Sequence, residues 1–134
     1  MTETKTTIEE HANAYYLSRF DDEMQALLAT YEDNEEAREQ LEEMPLAVSL
    51  QSINVGAQEC TWSILLGTGG PADRVLVTTD YSGDVESAEY QFQDWFQPWT
   101  EASEQDAELV EKFARVFYFD DITDPDTLQR VVIA

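Results

Sequence analysis

At Pro45 the hydrophobic period of the chain switches from three-and-four to two, and this switch limits the possible folds more than any other feature. Before it, Ile8, Ala12, Tyr15, Tyr16, Phe20, Met24, Leu27, Leu28 and Tyr31 recur at the spacing of one helical stripe. Thr7 with Glu10 three residues on fits a capping box, and the cluster Asp21, Asp22, Glu23 marks a candidate break into two shorter helices. A second helical segment, Asn34 to Met44, is apolar only at Ala37, Leu41 and Met44, and Pro45 should end it because its ring clashes with the preceding turn.

After Pro45 the pattern is that of strands. "LAVSLQSI" puts Leu46, Val48 and Leu50 on one face, as a half-buried strand does, and "CTWSILLG" and "RVLVTTDY" continue in the same style. "GTGGPADR" between them is rich in turn formers and should close a hairpin. "SGD" turns the chain into "VESAEYQFQDW", where Glu86, Ala88, Tyr90, Phe92 and Asp94 form the set expected to face inward. Residues 101–119 read as a last helix with Leu109, Val110, Phe113, Val116 and Phe117 on its buried side, and Asp124 before Pro125 suits one more short turn. The expected fold is α+β, an antiparallel meander of about four strands packed against N-terminal and C-terminal helices. With 134 residues and no internal repeat or linker, the chain is expected to form one domain, residues 1–134: an acidic helical part over 1–45, the sheet over 46–95 and the C-terminal helix over 101–119.

Charge is the feature that speaks to function. Twenty-nine Asp and Glu against seven Lys and Arg leave a net charge of -22, which disfavours direct contact with nucleic acid, anionic membranes or acidic substrates and favours basic surfaces. Fifteen aromatic residues and 43% hydrophobic content separate it from a disordered acidic tail. The single cysteine, Cys60, rules out an intramolecular disulfide framework, and the start "MTETKTTIEE" lacks a basic region and an apolar one, so the expected location is the cytoplasm.

The charge is uneven. Residues 1–45 and 84–134 each hold thirteen acids and three bases, whereas residues 46–83 hold three acids and one base. Glu32, Glu35, Glu36, Glu39, Glu42 and Glu43 fall three or four apart on the second helical segment, where like charges cost a few tenths of a kcal/mol per pair. Twenty-two net charges match the phosphates of about 11 base pairs of B-DNA. A DNA-binding protein whose affinity rests on phosphate contacts could accept such a surface instead of DNA. Two plainer readings stand beside this one: a solvated face, and adaptation to concentrated salt, which suits a chain with only Lys5 and Lys112 as lysines.

Other motifs carry less chemistry. "GTGGP" lacks the Gly-Lys-Ser/Thr ending of a phosphate loop and reads as a turn. "DDITDPD", Asp120 to Asp126, lacks the central glycine and closing glutamate of a calcium loop and reads as a solvated turn. His11 reads as a surface histidine, Cys60 as a small structural residue, and Glu86 with Asp94 as a chance carboxylate pair among many acids. Neither a catalytic residue, a metal site nor a cofactor is expected. "YQFQDWFQPWTE", with Trp95, Phe96 and Trp99, is the densest aromatic segment; it reads as core packing or, flanked by Asp94 and Glu101, as a contact for arginines of a partner.

"ILLGTGGPADRV" (64–75) and "YQFQDWFQPWTE" (90–101) resemble recurring segments of small, mostly uncharacterised proteins carried by bacterial prophages, plasmids and integrative elements. The resemblance spans the sheet and the start of the expected last helix, about half the chain, and leaves out the acidic first 45 residues. It transfers no site residue. It implies a mobile-element setting, in which inhibitors of CRISPR or restriction enzymes are useful. The expectation is therefore a non-enzymatic acidic inhibitor that mimics DNA toward a basic nucleic-acid-binding protein. Its contact residues would be Glu32, Glu35, Glu36, Glu39, Glu42, Glu43, Asp94, Trp95 and Trp99. The alternative is an acidic accessory or protein-interaction domain of a mobile element whose charge serves solubility or salt adaptation.

Overall fold

A computed structural model describes residues 7–95 and 97–123. Three helices come first: α1 (Ile8–Arg19), α2 (Asp22–Thr30) and α3 (Glu35–Glu43). Each start is capped by the residue its sequence offers. Thr7 and Glu10 form the reciprocal capping box, Asp21 accepts from the Met24 amide at 2.9 Å and so breaks α1 from α2, and Asn34 accepts from the Ala37 amide at 3.2 Å. The α3 helix ends at Glu43, with Met44 as its C-cap directly before Pro45.

Five antiparallel strands follow in the order of the chain: β1 (Ala47–Asn54), β2 (Glu59–Gly67), β3 (Pro71–Asp80), β4 (Val85–Asp94) and the short β5 (Thr100–Glu101). The fold is α+β with a meander, and the helices cover one face of the sheet. Cys60, Trp62, Ile64 and Leu66 of β2, Asp73, Val75, Val77 and Thr79 of β3, and Tyr90 and Phe92 of β4 are buried on that face. The β3 strand starts at Pro71, so the hairpin turn is only Thr68 to Gly70, tighter than the eight-residue loop the composition suggested. Proline is tolerated at the first position of a strand.

The last helix, α4 (Ala107–Ala114), is shorter than expected. Thr100 and Glu101 pair with Phe92 and Gln91 as β5, and Asp106 caps α4 by accepting from the amides of Glu108 and Leu109. Gln105 bridges the two elements: its side chain accepts from the Tyr90 amide at 2.6 Å and donates to the Tyr90 carbonyl at 3.1 Å. The packing of α4 joins the other layers through rings. Phe113 meets Phe20 edge-on at 5.6 Å, and Tyr16 stacks on Phe20 at 5.0 Å while meeting Tyr90 at 5.6 Å. Such pairs add about 0.5–1.5 kcal/mol each beyond area burial.

The expected half-buried face of β1 is only partly realised: Leu50 packs half-buried against the core, but the two apolar residues before it do not. Val48 and Leu50 do lie on the helix side, opposite Ile64 and Trp62. Yet Val48 is 41% exposed and Leu46, one residue before the strand, 61% exposed. The helical layer is centred on β3 to β5, with α1 on β4 and β5 and α4 on β3 and β4, so it leaves the start of β1 exposed. The expected turn at Asp124 and Pro125 lies outside the described residues.

Candidate functional site

Five of the six glutamates lie on α3, and all six are exposed. Glu32 is the correction: it sits in the turn between α2 and α3, because Asn34 takes the capping position and the helix begins at Glu35. Only Ala37 and Leu41 of α3 are buried, and its close packing is against α2. The helix thus rides on the outside of the helical layer, with one thin apolar stripe inward and carboxylates on the rest. Among the described residues none of these glutamates enters an ion pair; the pair within 4.0 Å is Arg19 with Asp73, and Arg38 is directed over the Tyr31 ring at 5.1 Å. No base in the last turn offsets Glu42 and Glu43 at the negative end of the helix dipole. The field of α3 is therefore not neutralised locally.

Asp94, Trp95 and Trp99 occupy a different part of the surface. Asp94 ends β4 opposite Pro71, and Trp95 turns the chain with φ 49°, a left-handed conformation that is costly for a bulky residue. Its amide donates to the Gly70 carbonyl at 2.7 Å, and its ring lies over Gly70, where an added Cβ would come within 2.3 Å of the indole. Trp95 is 64% exposed. Trp99 instead lies across the Arg74 guanidinium at 4.0 Å. Arg74 alternates with Asp73 and Val75, so this stack is on the sheet face away from the helices, where Arg74 also donates to Gln91 at 2.8 Å.

The structure brings the corner and the acidic helix to the same end of the sheet. The α3 helix leads into the start of β1, which lies beside the end of β2, the start of β3 and the end of β4. Three strand spacings separate the start of β1 from Asp94, about 14 Å. The two segments "ILLGTGGPADRV" and "YQFQDWFQPWTE" are in contact through this pairing and through Gly70 under Trp95.

One constellation was not anticipated from sequence. Asp73, 2% exposed, accepts both Nε and Nη2 of Arg19 at 2.6 and 3.0 Å and the Tyr90 hydroxyl at 2.8 Å. The Asp73 bond holds the Arg19 guanidinium above its usual pKa, against the opposing effect of burial. Burial, reinforced by Asp73, pushes the Tyr90 phenol far above its usual range. A cleft of about 260 Å³ opens beside Arg19, lined also by Asp21, Met24, Met44 and Leu66. Every buried side-chain polar atom among the described residues has a hydrogen-bond partner, so this network reads as a fastener between α1 and the sheet.

The remaining candidates lose their chemical readings. Glu86 and Asp94 stand at opposite ends of β4, about 26 Å apart at the rise of a strand. Glu86 is instead hydrogen-bonded to Glu59, which raises its pKa. The Glu89 carboxyl is likewise raised, chiefly by burial and then by Glu101. His11 is half-buried with its ring edge-on to Phe92 at 6.4 Å. Cys60 is buried, and burial raises its thiol pKa, which makes it a poor nucleophile. Among the described residues no His, Cys, Asp and Glu group is arranged to hold a metal ion, and no helix is long and apolar enough to cross a membrane. No protein-family model, curated protein or solved structure matches the chain.

Proposed function

We propose that this chain is a non-enzymatic inhibitor that presents carboxylates to a basic, nucleic-acid-binding protein in place of DNA. The observation that carries the reading is α3: glutamates at positions 35, 36, 39, 42 and 43, all exposed and none ion-paired, on a helix held by only two buried side chains. Such an array attracts arginines and lysines arranged for phosphates, and the exposed Trp95 at the same end of the sheet offers a cation–π contact. The resemblance of two segments to proteins of mobile elements supports a CRISPR or restriction complex as the target.

A second reading is favoured by the spread of the charge. Asp22, Glu23, Glu101, Glu104, Glu108 and Asp121 are also exposed, so carboxylates coat α2, β5, α4 and the loops as well as α3. That pattern fits an acidic accessory domain kept soluble in a salty interior.

The test is a pull-down from bacterial host lysate at two salt concentrations, read by mass spectrometry, with wild type beside a variant carrying Lys at positions 35, 36, 39, 42 and 43. Recovery of a nuclease or CRISPR subunit at low salt, lost with the variant and competed by DNA, supports the mimic. Equal recovery of generic basic proteins by both forms supports the second reading.

A further inference from the structure

The strongest unexplained surface is the β1 edge. Residues 46–58 contain no Asp, Glu, Lys, Arg or His in a chain of net charge -22. Among the described residues β1 ends the sheet, with no strand on its outer side. Exposed edges are normally guarded by charge, proline or bulges, because their free N–H and C=O groups accept another strand. Here Pro45 guards one end and the bulge between Leu50 and Ser52 the other, leaving Leu46 to Leu50 unguarded. Four of these five side chains are apolar, and Leu46 and Val48 are exposed.

The run "LAVSL" is also self-complementary. In an antiparallel pairing centred on Val48, Leu46 of one copy falls opposite Leu50 of the other, Ala47 opposite Ser49, and Val48 opposite itself. Large residues meet large ones on the helix-facing side, and small ones meet small ones on the other. A two-fold axis normal to the sheet produces this arrangement and keeps the same face toward the helices in both copies. Elsewhere on so acidic a surface two copies would bring like charges together, which opposes association.

We infer that a second copy of this chain binds edge to edge through β1, about a two-fold axis at Val48, joining two five-stranded sheets into one of ten. The pairing sets the two Leu46 residues, each following an acidic α3, about 14 Å apart. It does not depend on the proposed DNA mimicry: the interface is uncharged, and it is tested on the purified protein alone. Long-range repulsion between the two acidic bodies makes the dimer tighten with salt, opposite to the salt response of a DNA mimic on its target.

Sedimentation equilibrium at about 0.15 M and about 2 M NaCl tests the inference, since added salt shortens the screening length. The expected result is a mass that moves from one chain toward two as salt and concentration rise. Val48→Lys, which opposes two ammonium groups at the axis, should keep one-chain mass throughout with an unchanged circular dichroism spectrum. Cysteines replacing Val48 would have Cβ atoms about 4.5–5.5 Å apart, close to disulfide reach. Val48→Cys should therefore form a covalent dimer under mild oxidation, and Val55→Cys, 76% exposed beyond the bulge, should not. One-chain mass under all conditions overturns the inference and leaves the edge to a strand of another protein. Equal cross-linking of the two cysteine variants overturns it as well.

Discussion

Asp73 is the residue on which α1, β3 and β4 are tied together, and it is the acid whose loss the fold should feel most. Removing it orphans the Tyr90 hydroxyl and leaves Arg19, whose side chain is 40% exposed, without its anion. Breaking a buried pair costs about 3–5 kcal/mol; because Arg19 reaches solvent, Asp73→Ala should fall near the lower end, about 3 kcal/mol, in urea denaturation. Gly67 belongs to the same site. A Cβ there would lie 2.6 Å from Asp73 Oδ1 and 2.8 Å from Arg19 Nη2, so Gly67→Ala should cost about 1–3 kcal/mol. Combined with Asp73→Ala it should cost less than the sum. Strict additivity in that double-mutant cycle would separate Gly67 from the ion pair. The sequence carried a signal here: Asp73 has the same strand parity as Val75 and Val77, so alternation alone points it inward. That it would find Arg19, 54 residues earlier, was not legible from local pattern.

The α3 helix illustrates conflict between the proposed function and stability at the scale of one element. Its glutamates repel at three- and four-residue spacings, and Glu42 and Glu43 oppose the helix dipole, each effect amounting to a few tenths of a kcal/mol. Glu→Gln at positions 39, 42 and 43 should therefore raise the melting temperature at low salt while weakening retention of a basic partner. A lower melting temperature would show that these carboxylates make stabilising contacts. The start, end and buried stripe of this helix were readable from Asn34, Pro45, Ala37 and Leu41, all local signals. By contrast α4 was read too long. Residues 101–106 are polar enough to pass for a first helical turn, but Thr100 and Glu101 are claimed by the free edge of β4.

At the scale of the whole molecule, self-repulsion and its screening dominate. Raising salt from low to molar concentration should raise the melting temperature, because the net charge of -22 is spread over exposed carboxylates. The pH response has a definite sign. Glu86 and Glu89 have pKa values raised in the fold, so each weakens the native state at neutral pH and is relieved as pH falls through its folded value. Asp80 and Asp121 are lowered, chiefly by hydrogen bonds from Ser82 and Thr123, and their support is lost only below the ordinary aspartate value of 3.8. Stability should thus rise from neutral pH to a maximum between the ordinary glutamate value of 4.5 and the ordinary aspartate value of 3.8, and then fall. Glu89→Gln should raise stability at pH 7 by under about 1 kcal/mol, given partial solvent screening, and flatten the rise. A melting temperature that falls steadily from pH 7 downward would contradict this assignment.

The sequence by itself determined what depends on near neighbours. Helix caps, the switch of period at Pro45, the place of the hairpin turns and the burial of Tyr90 and Phe92 all follow from residues within a few positions of one another, although Glu86, read as part of the same inward set, is exposed. It also determined the uneven charge, which is a property of composition. Tertiary structure alone decided which elements cover which. The helices settle over β3 to β5, so Val48 is left in solvent although its alternation matches that of a buried strand. Packing set the Trp95 ring over Gly70 and Trp99 over Arg74, and it joined Gly67 and Arg19 to Asp73. Those outcomes depend on loop closure and area burial between distant segments, which local periodicity does not record.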